Sequence, residues 1–170
     1  DQKEISTIRL SYNDTNLLLG CDLLVVNDQD VLLTLNKTKT KAIINSDEVM
    51  TGEFTRNINF TLPTEEIKQN IINLIGISNI NFISANKIAR KVLGDTIASN
   101  MFLVGCAYQS GLIPINANSI EQAIKLNSVS IKLNLEAFNL GRQSINNKEK
   151  ILSTINTKLI NKDFDEQLKN

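Results

Sequence analysis

Apolar residues in this chain change period several times, and each change marks an element. Residues 5–11 (ISTIRLS) alternate apolar and polar positions and are β-branched, the pattern of a strand. Residues 23–26 (LLVV) are continuously apolar, as in a strand covered on both faces. Asn27 and Asp28 then offer a cap for a short helix carrying Val31, Leu32 and Leu35. Polar residues 36–39 turn the chain into a second buried strand, Ala42-Ile43-Ile44. This reads as a compact parallel strand–helix–strand unit with a right-handed crossover.

Residues 47–62 carry little period and read as loop, with a short extended piece at 57–61. Pro63-Thr64-Glu65-Glu66 reads as a helix start, with Thr64 as the cap and acids in the first turn. Ile67, Ile71, Ile72 and Ile75 form its apolar stripe, and Gly76 ends it. A strand is predicted at 80–83, followed at once by a helix over 86–108. Ser119-Ile120-Glu121-Gln122 has the form of a capping box that opens the last core helix. Ile120, Ile124, Ile131, Leu135 and Phe138 fall on one face of that helix. Residues 94–142 thus read as two long helices joined by a loop containing Pro114, with glycines and asparagines on faces expected to be buried. Residues 143–170 are polar and charged and read as a peripheral helix or tail beyond a domain at 1–142. Strands alternating with helices imply an α/β fold, a three-layer α/β/α sandwich around a mostly parallel sheet.

Composition narrows the function classes. The chain has 170 residues, 42% hydrophobic and 21% charged, enough for one ordinary globular domain. Its 18 basic and 18 acidic residues cancel, so nothing favours nucleic acid or an anionic membrane surface as partner. No apolar run is long enough to span a bilayer, and no signal peptide opens the chain; a cytoplasmic location is expected. The absence of histidine removes the usual general base and the Ser/His and Cys/His pairs, which argues against a self-contained hydrolase. Cys21 and Cys106 are too few for a cubane cluster or a structural zinc, each of which needs about four ligands. Both thiols are expected free and inert, and no metal site is expected. Abundant asparagine, isoleucine and lysine match an AT-rich coding bias, so the sequons at Asn13, Asn36 and Asn59 carry no message.

Several short patterns occur in a fixed order over residues 6–142. They are Ser6 with Arg9, the segment Leu-Leu-Gly-Cys-Asp-Leu at 18–23, and Asn45 with Glu48-Val49. Next come Leu93-Gly94-Asp95 with Asn100, Met101, Leu103 and Gly105, then Pro114 and Ala123-Ile124. Asn134, Phe138, Gly141 and Arg142 close the series. In this order the chain resembles the gamma-type domain of the 2-oxoacid:ferredoxin oxidoreductases. It is most similar to the C-terminal region of single-chain indolepyruvate ferredoxin oxidoreductases. The resemblance implies a Rossmann-like fold and an enzyme that decarboxylates an aryl pyruvate or similar 2-oxoacid. Thiamine diphosphate, iron–sulfur clusters and CoA would serve the whole enzyme, with no cofactor held by this segment. Its implied partners are the other domains or subunits and, through the whole enzyme, ferredoxin. The resemblance also departs in one place. The family's glycine-rich opening has no counterpart, since the first glycine is Gly20 and the chain starts Asp1-Gln2-Lys3-Glu4. The chain therefore reads as an excised piece lacking the first strand and helix, inactive alone. An uncovered sheet edge of that kind leads to an expected homo-oligomer.

Candidate contact residues follow, with no catalytic residue among them. Asn27 and Asn45 fall at the carboxyl ends of adjacent predicted parallel strands, where ligands bind in open α/β sheets. Asparagine also suits strand ends and caps, so each has a purely structural explanation. Arg9, inside a predicted strand, suits an interface acid or a CoA phosphate, and equally a surface-facing strand position. Asn100 is either a buried amide tying its helix to a loop or a ligand contact, and Asn127 and Asn134 are read the same way. Gly94, Ala98 and Gly105 recur on one helix face, expected to pack closely on the sheet. A stand-alone Rossmann-like ligand-binding or oligomer-scaffolding module without activity is the alternative function.

Overall fold

The computed structural model describes residues 10–47 and 63–147. Its main chain forms two compact units, Asp1–Phe82 and Ile83–Asn170. The architecture is α/β and Rossmann-like, with an open three-stranded parallel sheet.

The first unit holds the sheet. Strand β1 (Leu17–Gly20) pairs in parallel with β2 (Lys41–Asn45), Leu17 opposite Lys41 and Gly20 opposite Ile44. Strand β3 (Ile80–Ile83) follows β2, giving the order β1-β2-β3. Between β1 and β2 run two short helices, α1 (Leu23–Val26) and α2 (Gln29–Thr34). The strand expected at 23–26 is therefore a helical turn, and the strand lies just before it. Asp22 explains the switch, because its Oδ1 accepts the Leu24 amide at 2.8 Å and caps the turn. Leu23 and Val26, three positions apart, are buried while Val25 between them is 64% exposed, a helical and not an extended distribution. A short apolar run looks the same in both. Asp28 caps α2 in the same way, accepting the Asp30 amide at 2.9 Å.

Helix α3 (Thr64–Ile75) covers the sheet with the expected stripe. Ile67, Ile71 and Ile75 are buried among Leu23, Val26, Leu35, Ala42, Ile44 and Ile80, and Ile72 packs at the edge of that core. Each such isoleucine contributes roughly 2 kcal/mol by burial. The cap position belongs to Pro63, and Thr64 is the first helical residue and buried, not the cap expected of it. Gly76 closes the helix at φ +83°, and a 3-10 turn (Ile77–Asn79) leads into β3. Most of the strand expected at 5–11, and all of the extended piece at 57–61, lie outside the described residues.

The second unit contains four helices among the described residues, α4 (Ala85–Leu93), α5 (Ser99–Gln109), α6 (Ala117–Asn127) and α7 (Ile131–Asn146). The single helix expected over 86–108 is two. Gly94 sits at φ +85°, in the left-handed region that ends helices, and the Asp95 carboxylate then accepts the Ile97 amide at 2.9 Å. The last helix is also divided, with Ser128 at φ +57° and Ser130 at φ +44° between α6 and α7. Its start is set by Asn116, whose Oδ1 accepts from the Ser119 amide at 2.9 Å and from Ser119 Oγ at 3.0 Å. Ser119 lies inside the helix, and the expected capping box is replaced by an asparagine cap. The predicted stripe survives in part, since Ile120, Ile124 and Phe138 share one core with Leu135 at its edge, while Ile131, at the first position of α7, is exposed.

Helices α5 and α7 cross at two glycines. A Cβ at Gly105 would lie 2.1 Å from the Phe138 carbonyl oxygen, and one at Gly141 would lie 2.0 Å from the Phe102 carbonyl oxygen. Gly105 therefore serves a helix–helix contact, not the helix–sheet contact expected of it. Gly94 is exposed and belongs to a turn, so only Gly105 and Ala98 of the expected small-residue face are buried.

Candidate functional site

The carboxyl ends of β1 and β2 form one candidate region, in the first unit. Asn45 ends β2 as expected and is 1% exposed. Its Nδ2 donates to the Cys21 carbonyl at 3.3 Å and its Oδ1 accepts the Asp47 amide at 3.2 Å. The side chain thus fastens the turn after β1 to the end of β2. Asn27 is not at a strand end. It caps the C-terminus of α1, donating its backbone N–H to the carbonyls of Leu23 and Leu24. Its Oδ1 is buried and accepts no hydrogen bond among the described residues. An unmet buried acceptor costs about 1–3 kcal/mol.

The other expected contacts disperse. Arg9 lies outside the described residues, and Asn100 is exposed on the first turn of α5, not a buried amide. Asn127 is exposed, and Asn134 Nδ2 donates to the Val129 carbonyl at 2.9 Å across the α6–α7 break. Both cysteines are free. Burial, and secondarily the Asp22 charge, raises the Cys21 thiol pKa, and burial pushes Cys106 up to about 11 against the lowering effect of Ser144. Cys106 Sγ lies 3.3 Å from Ser144 Oγ and 3.5 Å from the Gly141 carbonyl.

A second region, in the helical unit, was not singled out from sequence. Arg142 ends its family-like pattern, but its surroundings make it more than a marker. Its guanidinium carbon stands 5.3 Å from the Tyr108 ring centre and 5.6 Å from that of Phe138, and the two rings are tilted 5.6 Å apart. Nη1 donates to Asn139 Oδ1 at 3.2 Å, while Nε is buried without an acceptor among the described residues. The signal available in sequence was the spacing Phe138, Asn139, Arg142, which places all three on one helix face. Arg142 and Tyr108 line an open recess of about 610 Å³ with Gln109, Ile113, Pro114 and Asn116.

Among the described residues no three of His, Cys, Asp and Glu are grouped to hold a metal ion. The profile of the pyruvate ferredoxin/flavodoxin oxidoreductase family matches residues 2–144. The chain belongs to that family. No curated protein and no solved structure matches it significantly. Enzymes of this pyruvate ferredoxin/flavodoxin oxidoreductase family use thiamine diphosphate, iron–sulfur clusters and CoA, and work with other oxidoreductase domains or subunits and with ferredoxin. This chain does not fit the cluster. Its sequence holds two cysteines and no histidine, fewer than the four ligands a cubane cluster takes. No helix among the described residues is long and apolar enough to cross a membrane.

Proposed function

We propose that residues 1–142 are the gamma-type domain of a 2-oxoacid:ferredoxin oxidoreductase that decarboxylates an aryl pyruvate or similar 2-oxoacid to an acyl-CoA, as in the indolepyruvate enzymes. The chain's own part is to pack against the thiamine- and cluster-bearing domains and to cover the CoA side of the cleft, with residues 143–170 peripheral. The family match across both units carries this reading. Two further observations support a positioning role. The thiols are protonated and buried or half-buried, and the Asn45 side chain at the carboxyl edge of the sheet is tied into the fold. Asn27 and Asn45 supply the CoA-side edge, Asn27 by contact and Asn45 by holding the turn. Arg9 and Asn100 supply interface contacts.

The assembled enzyme tests this with Asn27→Ala. The KM for CoA should rise by roughly fivefold with kcat for the 2-oxoacid little changed, the signature of a lost ground-state contact. An unchanged KM for CoA would remove Asn27 from the cleft and leave a packing role alone.

A further inference from the structure

We infer that the recess around Arg142 is a binding site for an oxyanion, a phosphate or carboxylate, carried on a flat or apolar body. The inference stands on the helical unit alone and is independent of which 2-oxoacid the enzyme uses. Among the described residues no carboxylate pairs with Arg142, and no Asp or Glu lines the recess. Among the described residues one hydrogen bond engages the guanidinium, to Asn139. The faces of Tyr108 and Phe138 hold the guanidinium carbon by cation–π contact at 5.3 and 5.6 Å, which leaves its outer N–H groups for an anionic acceptor.

The rest of the lining continues the donor surplus. The Tyr108 hydroxyl accepts the Ala117 amide at 3.2 Å, while its own proton meets no acceptor among the described residues. Asn116, in the wall, is the cap of α6, so the positive end of an eleven-residue helix borders the same space, its Ala117 and Ser119 amides met by Tyr108 and Asn116. Ile113, Pro114 and Ile115 make the remaining wall, and Ile115 is 55% exposed with nothing covering it. A bare inorganic ion would leave those apolar atoms in water, so the ligand that fits carries an apolar or planar group beside its oxyanion.

The test uses the full chain in solution with four probes at constant ionic strength: phenyl phosphate, inorganic phosphate, phenylacetate and acetate. The sequence has four arginines, so the Nε–H resonance of Arg142 can be assigned and followed by nuclear magnetic resonance. A saturable shift at Arg142 and Tyr108 is expected for one pair, phosphate or carboxylate, and that pair identifies the oxyanion. Its phenyl member should bind about tenfold more tightly than the bare ion, through the apolar wall. Arg142→Lys keeps the charge and loses the fork, and should weaken binding by about fivefold or more. Ile115→Glu puts a carboxylate at an exposed position of the wall and should abolish binding without disturbing the fold. Shifts that never saturate, or that appear at Arg90 and not at Arg142, would overturn the inference. So would equal affinity in the Ile115→Glu protein.

Discussion

Cys106 and Asn45 are the residues whose chemistry the fold changes most. Cys106 is buried beside Ser144, and its thiol pKa is raised from 9.0 to about 11. Below about pH 9 the thiol is protonated in both folded and unfolded chains and contributes no pH dependence. Between about pH 9 and 11 only the unfolded chain releases the proton, so stability falls as pH rises, by about 3 kcal/mol in all. Urea midpoints at pH 8 and pH 11 should therefore differ more in the wild type than in Cys106→Ala. The same burial predicts that a thiol reagent modifies half-buried Cys21 first and Cys106 only on unfolding, checked by mass spectrometry of the alkylated chain. Asn45→Ala deletes the bond to the Cys21 carbonyl in the turn after β1 and the bond from the Asp47 amide after β2, and should cost about 2 kcal/mol in the same urea assay. A loss within error of zero would mean that the turn is held by its other contacts.

At the scale of elements, glycines and caps decide where helices stop and how closely they cross. Gly141→Ala must push α5 and α7 apart, because the new Cβ meets main-chain atoms that cannot swing aside. A loss of more than about 2 kcal/mol is expected. Gly94→Ala meets no atom within 4 Å and strains only a left-handed backbone, so about 1 kcal/mol is expected. Thermal unfolding of the two variants should rank them in that order, and the reverse order would contradict the crossing. These elements also show what could be read from sequence. The α3 stripe, β2 and β3 were legible, because a sustained period or a β-branched run bounded by turn residues has one reading. Residues 23–26 were not, since a four-residue apolar run suits a strand or one helical turn until Asp22 is seen to cap it. The breaks at Gly94 and at Ser128–Ser130 were missed because the apolar period runs on through them. Asn45 was placed correctly as a strand end, whereas Asn27 moved with the misread strand. Arg142 was passed over because stacking on Tyr108, thirty-odd positions away, is a tertiary contact that no local pattern encodes.

For the whole molecule, family membership and local chemistry point to a division of labour. The enzyme family needs thiamine, clusters and CoA, while this chain offers two protonated thiols, no histidine and two small regions suited to binding and packing. The reaction's difficult steps belong to cofactors, and the proposed part of this chain is to serve by position. Iron and sulfide analysis of the purified chain should accordingly find neither near stoichiometric levels. The most direct measurement is 2-oxoacid- and CoA-dependent ferredoxin reduction, titrating this chain against the thiamine- and cluster-bearing remainder of the oxidoreductase. The chain alone should show no activity, and activity of the remainder should rise with added chain and saturate at one chain per remainder. Activity in the chain alone, or full activity without it, would contradict its place as a positioning domain of the enzyme.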